Sequence, residues 1–428
     1  MSAGALDGIR VLEFSQIVAG PVAGIALSDF GADVVKVEPL EGESRRNSGA
    51  VVPNEGKYFQ SLNRGKRSLT LDLRQPAGQA VVHRLIPHFD VVLSNYRTGV
   101  TARLNIDYAT LSRINARLIY ANITGFGDGG PFATRAGSDI VAQAYSGLMA
   151  AEAKTDEHGA PVQITGTTII DRASGLAAAM GICAALFHRE RTGEGQEIHI
   201  SLLHTALELL APNVMREPVQ DANIRDPFLA DLTALRDAGV RYDEIAGRRK
   251  RQAPRFASHR LYYGGYHTAR GGIVLGALTQ HNRDTIRGIL DMHDDTDAPT
   301  FNAAEPENQA RIEAWREEIQ ARLLEHTAAE WAARLVEAGV PASVVNFPEE
   351  MSDDPQVEAM GMMTSLDHAI TGPHRVVSPI VRMSATPTAI SMPSPPLGHH
   401  SRAILTEAGY APGEIDALVA ARVISDTA

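Results

Sequence analysis

The chain has 428 residues, 44% of them apolar and 21% charged, enough for two or three domains with their own cores and unlike any collagenous, coiled-coil or disordered composition. Its formal charge of −11 disfavours a nucleic-acid partner, since neutralising phosphates needs a basic face, and its single cysteine, Cys183, cannot close a disulfide within the chain, which fits a reducing cytoplasm. Met1–Leu12 lacks a basic segment followed by an apolar one, and no run reaches the ~18 apolar residues of a membrane span, Gly175–Phe187 coming nearest, so neither export nor a membrane is expected.

In chain order, Gly8–Phe14 predicts a strand, Gly20–Phe30 a helix opened by Pro21, and Ala32–Val37 a second, β-branched strand. The alternation continues through strand Leu69–Leu73, helix Pro76–Ile86, strand Asp90–Leu93, helix Tyr108–Ile114 and strand Leu118–Thr124. An apolar helix over Asp171–Arg191 and a strand over Glu197–Leu203 follow. Repeated βα units of this length predict an α/β fold with a parallel sheet covered by helices on both faces. Between Glu217 and Pro254 the chain turns charge-rich and helical, with Arg248-Arg249-Lys250-Arg251 near its end, as a linker and domain boundary would. Leu261–Thr268 and Gly272–Leu278 then predict a strand pair around Ala269-Arg270-Gly271, and helices are expected over His281–Met292, Asn308–His326 and Thr327–Ala338, a smaller α+β pattern. After Gly339-Val340-Pro341 the chain returns to strand and loop and closes in a helical segment over Glu407–Val423.

Gly125-Phe126-Gly127-Asp128-Gly129-Gly130 satisfies a dinucleotide-binding spacing, but Pro131 follows at once and no helix starts before about Ser138, so it reads as a loop lying close to a ligand or another chain. His399-His400 is the only close histidine pair, and its neighbours point to opposite faces of an extended segment, so surface histidines are expected and no metal. Cys183 sits in an apolar helical run and reads as a small core side chain. Asp171, between Ile169-Ile170 and an apolar helix, allows two readings: an N-cap worth ~1 kcal/mol, or a carboxylate aimed from the positive end of that helix at a bound electrophile. Lys36, Arg45-Arg46, Arg64, Lys66-Arg67, Arg97 and Arg103 lie at or just after strand ends, where ligands of a doubly wound sheet bind; each one alone is equally a solvated loop charge.

Several stretches in fixed order resemble the class III coenzyme A transferase family, which includes formyl-CoA:oxalate and carnitine CoA-transferases and, as a branch, the α-methylacyl-CoA racemases. They are Leu6–Leu12, Val18-Ala19-Gly20-Pro21, Phe30–Pro39, Asn63–Ser68, Asn95-Tyr96-Arg97, Gly125-Phe126-Gly127 with Gly130-Pro131, Arg191–Gln196, Glu330-Trp331, Ala338–Pro341 and Pro395–His400. The resemblance implies a Rossmann-like large domain from both chain ends and an inserted small domain, here 1–216, 217–340 and 341–428, in a homodimer of two interlocked rings. It also implies that Asp171, in Ile170-Asp171-Arg172-Ala173-Ser174-Gly175, is the nucleophile. It would form an aspartyl anhydride and then an aspartyl-CoA thioester, exchanging CoA between carboxylic acids with acyl-CoA as substrate and no tightly bound cofactor. By the same carry-over Val18, Ala19, Gly20, Pro21, Lys36, Glu38 and Pro39 line the CoA cleft, with Asn95, Tyr96 and Arg103 as CoA contacts and Lys66 and Arg74 as further ones. The racemase branch is the alternative, but it uses a histidine as one of two bases, and Ser138 stands there, before Asp139. A non-catalytic CoA-binding subunit is a second alternative, one with no need of Asp171. Leu104-Asn105 where Leu-Gly is usual, Thr98 where Pro is common, and Ala269-Arg270-Gly271 for an Asp-Gly turn depart from the family pattern.

Overall fold

Six short runs form parallel strands: β1 (Arg10–Phe14), β2 (Asp33–Glu38), β3 (Lys66–Thr70), β4 (Val91–Ser94), β5 (Ile119–Thr124) and β6 (Gln196–Ser201), in the order β3-β2-β1-β4-β5-β6. The central strands, buried on both faces, need apolar side chains at nearly every position, which is why Val91-Val92-Leu93 reads as continuous, while the edge strand β6 alternates. Within β1, Val11 faces one core, with the helices Ala19–Asp29 and Ile169–Thr192. Leu12 and Phe14 face the other, closed by Pro76–Leu85, Ser401–Glu407 and Pro412–Ala420. The computed structural model describes residues 4–252, 257–303 and 305–425; Pro254, the expected end of the linker, and the first three residues of the Met1–Leu12 stretch lie outside them.

The chain divides into two compact units, Met1–Asp156 with Pro161–Arg216 and Pro355–Ala428, and Glu157–Ala160 with Glu217–Asp354. The return to the first unit comes at 355 rather than 341, because Ala342–Val344 is a third strand of the second unit's sheet. In that unit β7 (Tyr263–His267), β8 (Gly272–Gly276) and β9 (Ala342–Val344) are antiparallel. They pack with helices Gln280–Leu290, Pro306–Leu323 and Ala328–Glu337 around Tyr262, Ile286, Ile319, Trp331 and Leu335. Gly271 at φ 90° makes the turn between β7 and β8. In the first unit β10 (Met363–His368) and β11 (Gly372–Val377) form an antiparallel hairpin.

Other differences from expectation have local causes. β3 starts at Lys66, three residues early, because its polar N-terminal half is satisfied by buried partners. The closing helix is two helices, broken at Gly409 (φ 80°) before Pro412. Of the two histidines expected at the surface, His399 is exposed and His400 is half-buried: its Nδ1 accepts from the Ser68 N–H at 3.3 Å, and burial, with His399 and Arg67 nearby, pushes its pKa down to about 4. The 24-residue Ile169–Thr192 helix is apolar and long enough to cross a membrane by composition, yet Ile170, Ala178, Ile182 and Leu186 bury it against the sheet.

Candidate active site

After β1 the chain crosses to β2 on one side, and after β4 to β5 on the other, so the connections leaving these neighbouring strands diverge and open a crevice at their carboxyl ends. A cavity of about 600 Å³ lies there, walled by Gln16–Ala19 after β1, Asn95–Thr98 and Arg103 after β4, Gly125 after β5, Ser138 and Asp171. Its glycine loop lies flat because Gly125 and Gly137 touch: a Cβ on Gly125 would sit 2.6 Å from the Gly137 Cα. Of the Gly125–Gly130 segment, Gly125 lies on the cavity wall.

Asp171 is not the N-cap of its helix. The helix begins at Ile169, which places Asp171 in its first turn. The capping carboxylate comes from elsewhere: buried Asp139 Oδ2 accepts the Ile170 and Asp171 N–H groups at 2.8 and 3.0 Å, and its Oδ1 is bonded by Gln143. The Asp171 side chain is thus left half-buried on the cavity wall with a second carboxylate nearby. Burial first, and the Asp139 charge second, push its pKa up to about 7, with Arg45 pulling the other way.

The sequence-expected residues separate into two sets. Val18, Ala19, Asn95, Tyr96, Arg103 and Asp171 share the cavity wall. Asn95 also faces inward, accepting from the Gln16 N–H (3.0 Å) and donating to the Gln16 carbonyl (2.7 Å), so it fixes the wall it belongs to. Gly20, Pro21, Lys36, Glu38, Pro39, Lys66 and Arg74 are not on that wall. Gly20 permits a close approach, since a Cβ there would lie 2.2 Å from the Ser15 Cβ, and the Pro21 carbonyl accepts from Lys66 Nζ at 3.0 Å. Lys36, Glu38 and Lys66 are sealed from solvent among opposite charges beneath the wall and cannot reach a ligand. Pro39 is exposed in a turn closed by Gly42, and Arg74 is 77% exposed and paired with Asp72. The lone Cys183 packs beside the core, and burial pushes its thiol up, as suits an inert side chain.

A model of CoA-transferase family III matches residues 6–401. The chain belongs to that family. It is 33% identical over 425 residues to the succinate–glutarate CoA-transferase of Agrobacterium fabrum, covering 94% of this chain and 95% of that one. It is 32% identical over 430 residues to the succinyl-CoA–D-citramalate CoA-transferase of Chloroflexus aurantiacus, covering 98% of each. Its structure is similar to that of a CaiB/BaiF family protein from Brucella suis, with a TM-score of 0.72 and 30% identity over 95% of this chain and 100% of the other. The chain is therefore a CoA-transferase, an enzyme whose substrates are CoA thioesters and carboxylic acids.

For a family III CoA-transferase the cavity holds chemistry that strand-end reasoning passed over. Arg135 also lines it, with its guanidinium 4.1 Å above the Phe132 ring, and Phe132 packs edge-on with Phe126 and Tyr145. Arg97, Arg103 and Arg135 form no ion pair among the described residues, in contrast to Arg46, Arg64 and Arg67. Arg135 sits eleven residues past the end of β5, too far along its loop to be marked by the strand end. Ser138 on the same wall has no pKa suited to proton abstraction. The departure at Asn105 is conformational: it adopts φ 53°, a left-handed geometry that glycine prefers and asparagine tolerates.

Proposed function

We propose that this enzyme moves CoA between dicarboxylic acids, with succinyl-CoA as a donor, and that Asp171 is the nucleophile. The observation that carries the reading is a half-buried carboxylate with a pKa of about 7 on the wall of the switch-point cavity, which also holds arginines that form no ion pair among the described residues. The names of the relatives support the acids. The Asp171 carboxylate attacks the thioester carbonyl and CoA leaves as the thiolate, giving an aspartyl anhydride. The thiolate then attacks the aspartyl carbonyl, releasing the donor acid and leaving an aspartyl-CoA thioester. The incoming carboxylate attacks that thioester, re-forming an anhydride and thiolate, and the thiolate attacks the new acyl carbonyl to give product and free Asp171. Each step exchanges groups of similar acyl-transfer potential, so no nucleotide is needed.

Arg97 and Arg103 offer charge for the phosphates of CoA, and Arg135 offers a further cation to an anionic group, because guanidinium binds phosphate and carboxylate in a two-point fork. The exposed apolar stripe Leu176, Met180 and Phe187 on one helix supports a homodimer as the working form, which native mass spectrometry tests. The chemistry is tested by intact-protein mass spectrometry after mixing with succinyl-CoA and other acyl-CoAs, trapping with borohydride or hydroxylamine. Wild type should carry an adduct that maps to Asp171 and is absent in Asp171→Ala. An adduct elsewhere, or none with any donor, rejects the mechanism.

A further inference from the structure

Six charged side chains are sealed beneath the cavity wall: Glu13 on β1, Lys36 and Glu38 on β2, Lys66 on β3, and Glu43 and Arg46 in the segment after β2. Three are acids and three are bases, so the cluster is neutral. Lys36 Nζ lies 3.4 Å from Glu13 Oε1 and 3.7 Å from Glu43 Oε1, Lys66 Nζ lies 2.9 Å from Glu13 Oε2, and Arg46 forks onto both oxygens of Glu38 at 2.7 Å. Three of their other bonds reach one short piece of backbone. Lys36 donates to the Ser15 carbonyl (2.8 Å), Glu43 Oε2 accepts from the Ile17 N–H (2.8 Å), and Lys66 donates to the Pro21 carbonyl (3.0 Å).

The piece so held is strained. Ile17 has φ 72°, a left-handed conformation that a β-branched residue adopts only where its surroundings over-determine it. Ile17 and its neighbours Gln16, Val18 and Ala19 are the cavity wall that faces Asp171's site. We propose that Glu43 is a positioning residue for CoA transfer: braced by Lys36, its carboxylate holds the Ile17 N–H and keeps the Gln16–Ala19 wall in the shape the acyl-CoA meets. This rests on the reading of that cavity as the acyl-CoA site. Glu43 is only 2% exposed, so it acts through Ile17 and not by touching substrate. Its carboxylate suits the task because one oxygen faces the Lys36 ammonium and the other accepts from Ile17. In Glu43→Gln the Lys36 ammonium draws the amide oxygen to itself, which turns the NH₂ group toward the Ile17 N–H, donor against donor, with no change in volume.

The test compares wild type, Glu43→Gln, and Glu43→Gln with Ile17→Gly. The readouts are calorimetric binding of free coenzyme A, steady-state KM for succinyl-CoA and for the acid, and melting temperature. Glu43→Gln should weaken coenzyme A binding and raise the thioester KM about tenfold, leaving the acid KM unchanged. Ile17→Gly should restore most of that loss in the double variant, because glycine holds a positive φ without help. If Glu43→Gln does not fold, Glu43→Asp keeps the charge, loses one methylene of reach, and should show the same loss and the same rescue. Wild-type binding in a folded Glu43 variant, or a loss that Ile17→Gly does not relieve, overturns the proposal. Wild type that neither binds coenzyme A nor labels at Asp171 overturns instead the reading of the cavity.

Discussion

Replacing Asp171 by asparagine should abolish turnover and make the folded protein more stable above neutral pH. A carboxyl group with a pKa of about 7 instead of its ordinary 3.8 binds a proton in the folded chain that the unfolded chain has already released. Between those two values the folded state holds more protons, so stability falls as pH rises through the window and levels off above about 7. Three decades of difference amount to about 4 kcal/mol, and because Asp171 is half-buried and solvent screens part of the interaction, about 2 kcal/mol is the working figure. Asparagine keeps the shape, carries no charge and escapes the penalty. Differential scanning calorimetry of wild type and Asp171→Asn at pH 8 and pH 4 should show the variant melting roughly 2–5 °C higher at pH 8. The gap should shrink to a small fraction of that at pH 4, close to the ordinary 3.8, where the folded state is protonated at this site and the unfolded state is partly so. A variant no more stable than wild type at pH 8, or a gap of the same size at both pH values, would refute the claim that burial and Asp139 hold this carboxylate at high energy.

Asp139→Asn removes the second charge from beside Asp171, so the acidic limb of kcat/KM, which wild type should show near pH 7, is expected to move to lower pH in a full pH–rate profile. Arg103→Ala should raise the KM for acyl-CoA about tenfold, and the difference from wild type should shrink with added salt, as read from initial rates at two ionic strengths. Gly24→Ala puts a Cβ 1.9 Å from Glu13 Oε2, an atom pinned by lysines and unable to yield, so chemical denaturation should show a loss of about 1–3 kcal/mol or more. In the second unit burial raises the Asp294 carboxyl, but bonds from Arg287, Thr296 and Tyr262 outweigh it and carry the pKa down to about 2. That contribution is present above the unfolded pKa and lost as pH falls through about 4 to 2, and Asp294→Ala, which leaves Arg287 with Asp284 and Asp297 but without its most buried partner, should lower the melting temperature of this unit.

The sheet could be read from the sequence because a parallel strand buried on both faces leaves a dense apolar signature, as in Val91-Val92-Leu93 or Ile119–Ile123, and glycines and prolines punctuate the helices between them. Asn105 was readable as a departure and turns out to preserve the left-handed backbone. β3 was misread at its start for an informative reason. Lys66-Arg67-Ser68 resembles a solvated loop, yet Lys66 is paired with Glu13, 53 residues earlier, and Arg67 with Asp33 and Glu407. Paired charge fills the place that apolar side chains hold in the neighbouring strands.

The same ambiguity decided which cations were assigned to the ligand. A lysine or arginine near the carboxyl end of a parallel strand gives one sequence signal, whether it faces a phosphate or braces the loop above it. Lys36 and Lys66 brace, while Arg97 and Arg103 face the cavity. What separates them is whether a carboxylate distant in sequence folds against each one, and Glu13, 23 residues from Lys36 and 53 from Lys66, does so for both lysines. Asp171 shows the reverse: its place in the helix was visible, but its raised pKa comes from burial first and then from Asp139, whose carboxylate takes the capping bonds that Asp171 was read as making for itself. A carboxylate spared from capping, next to one that caps, keeps its oxygens for the cavity it lines. That division of labour between two aspartates is the physical content that the motif around Asp171 could not express alone.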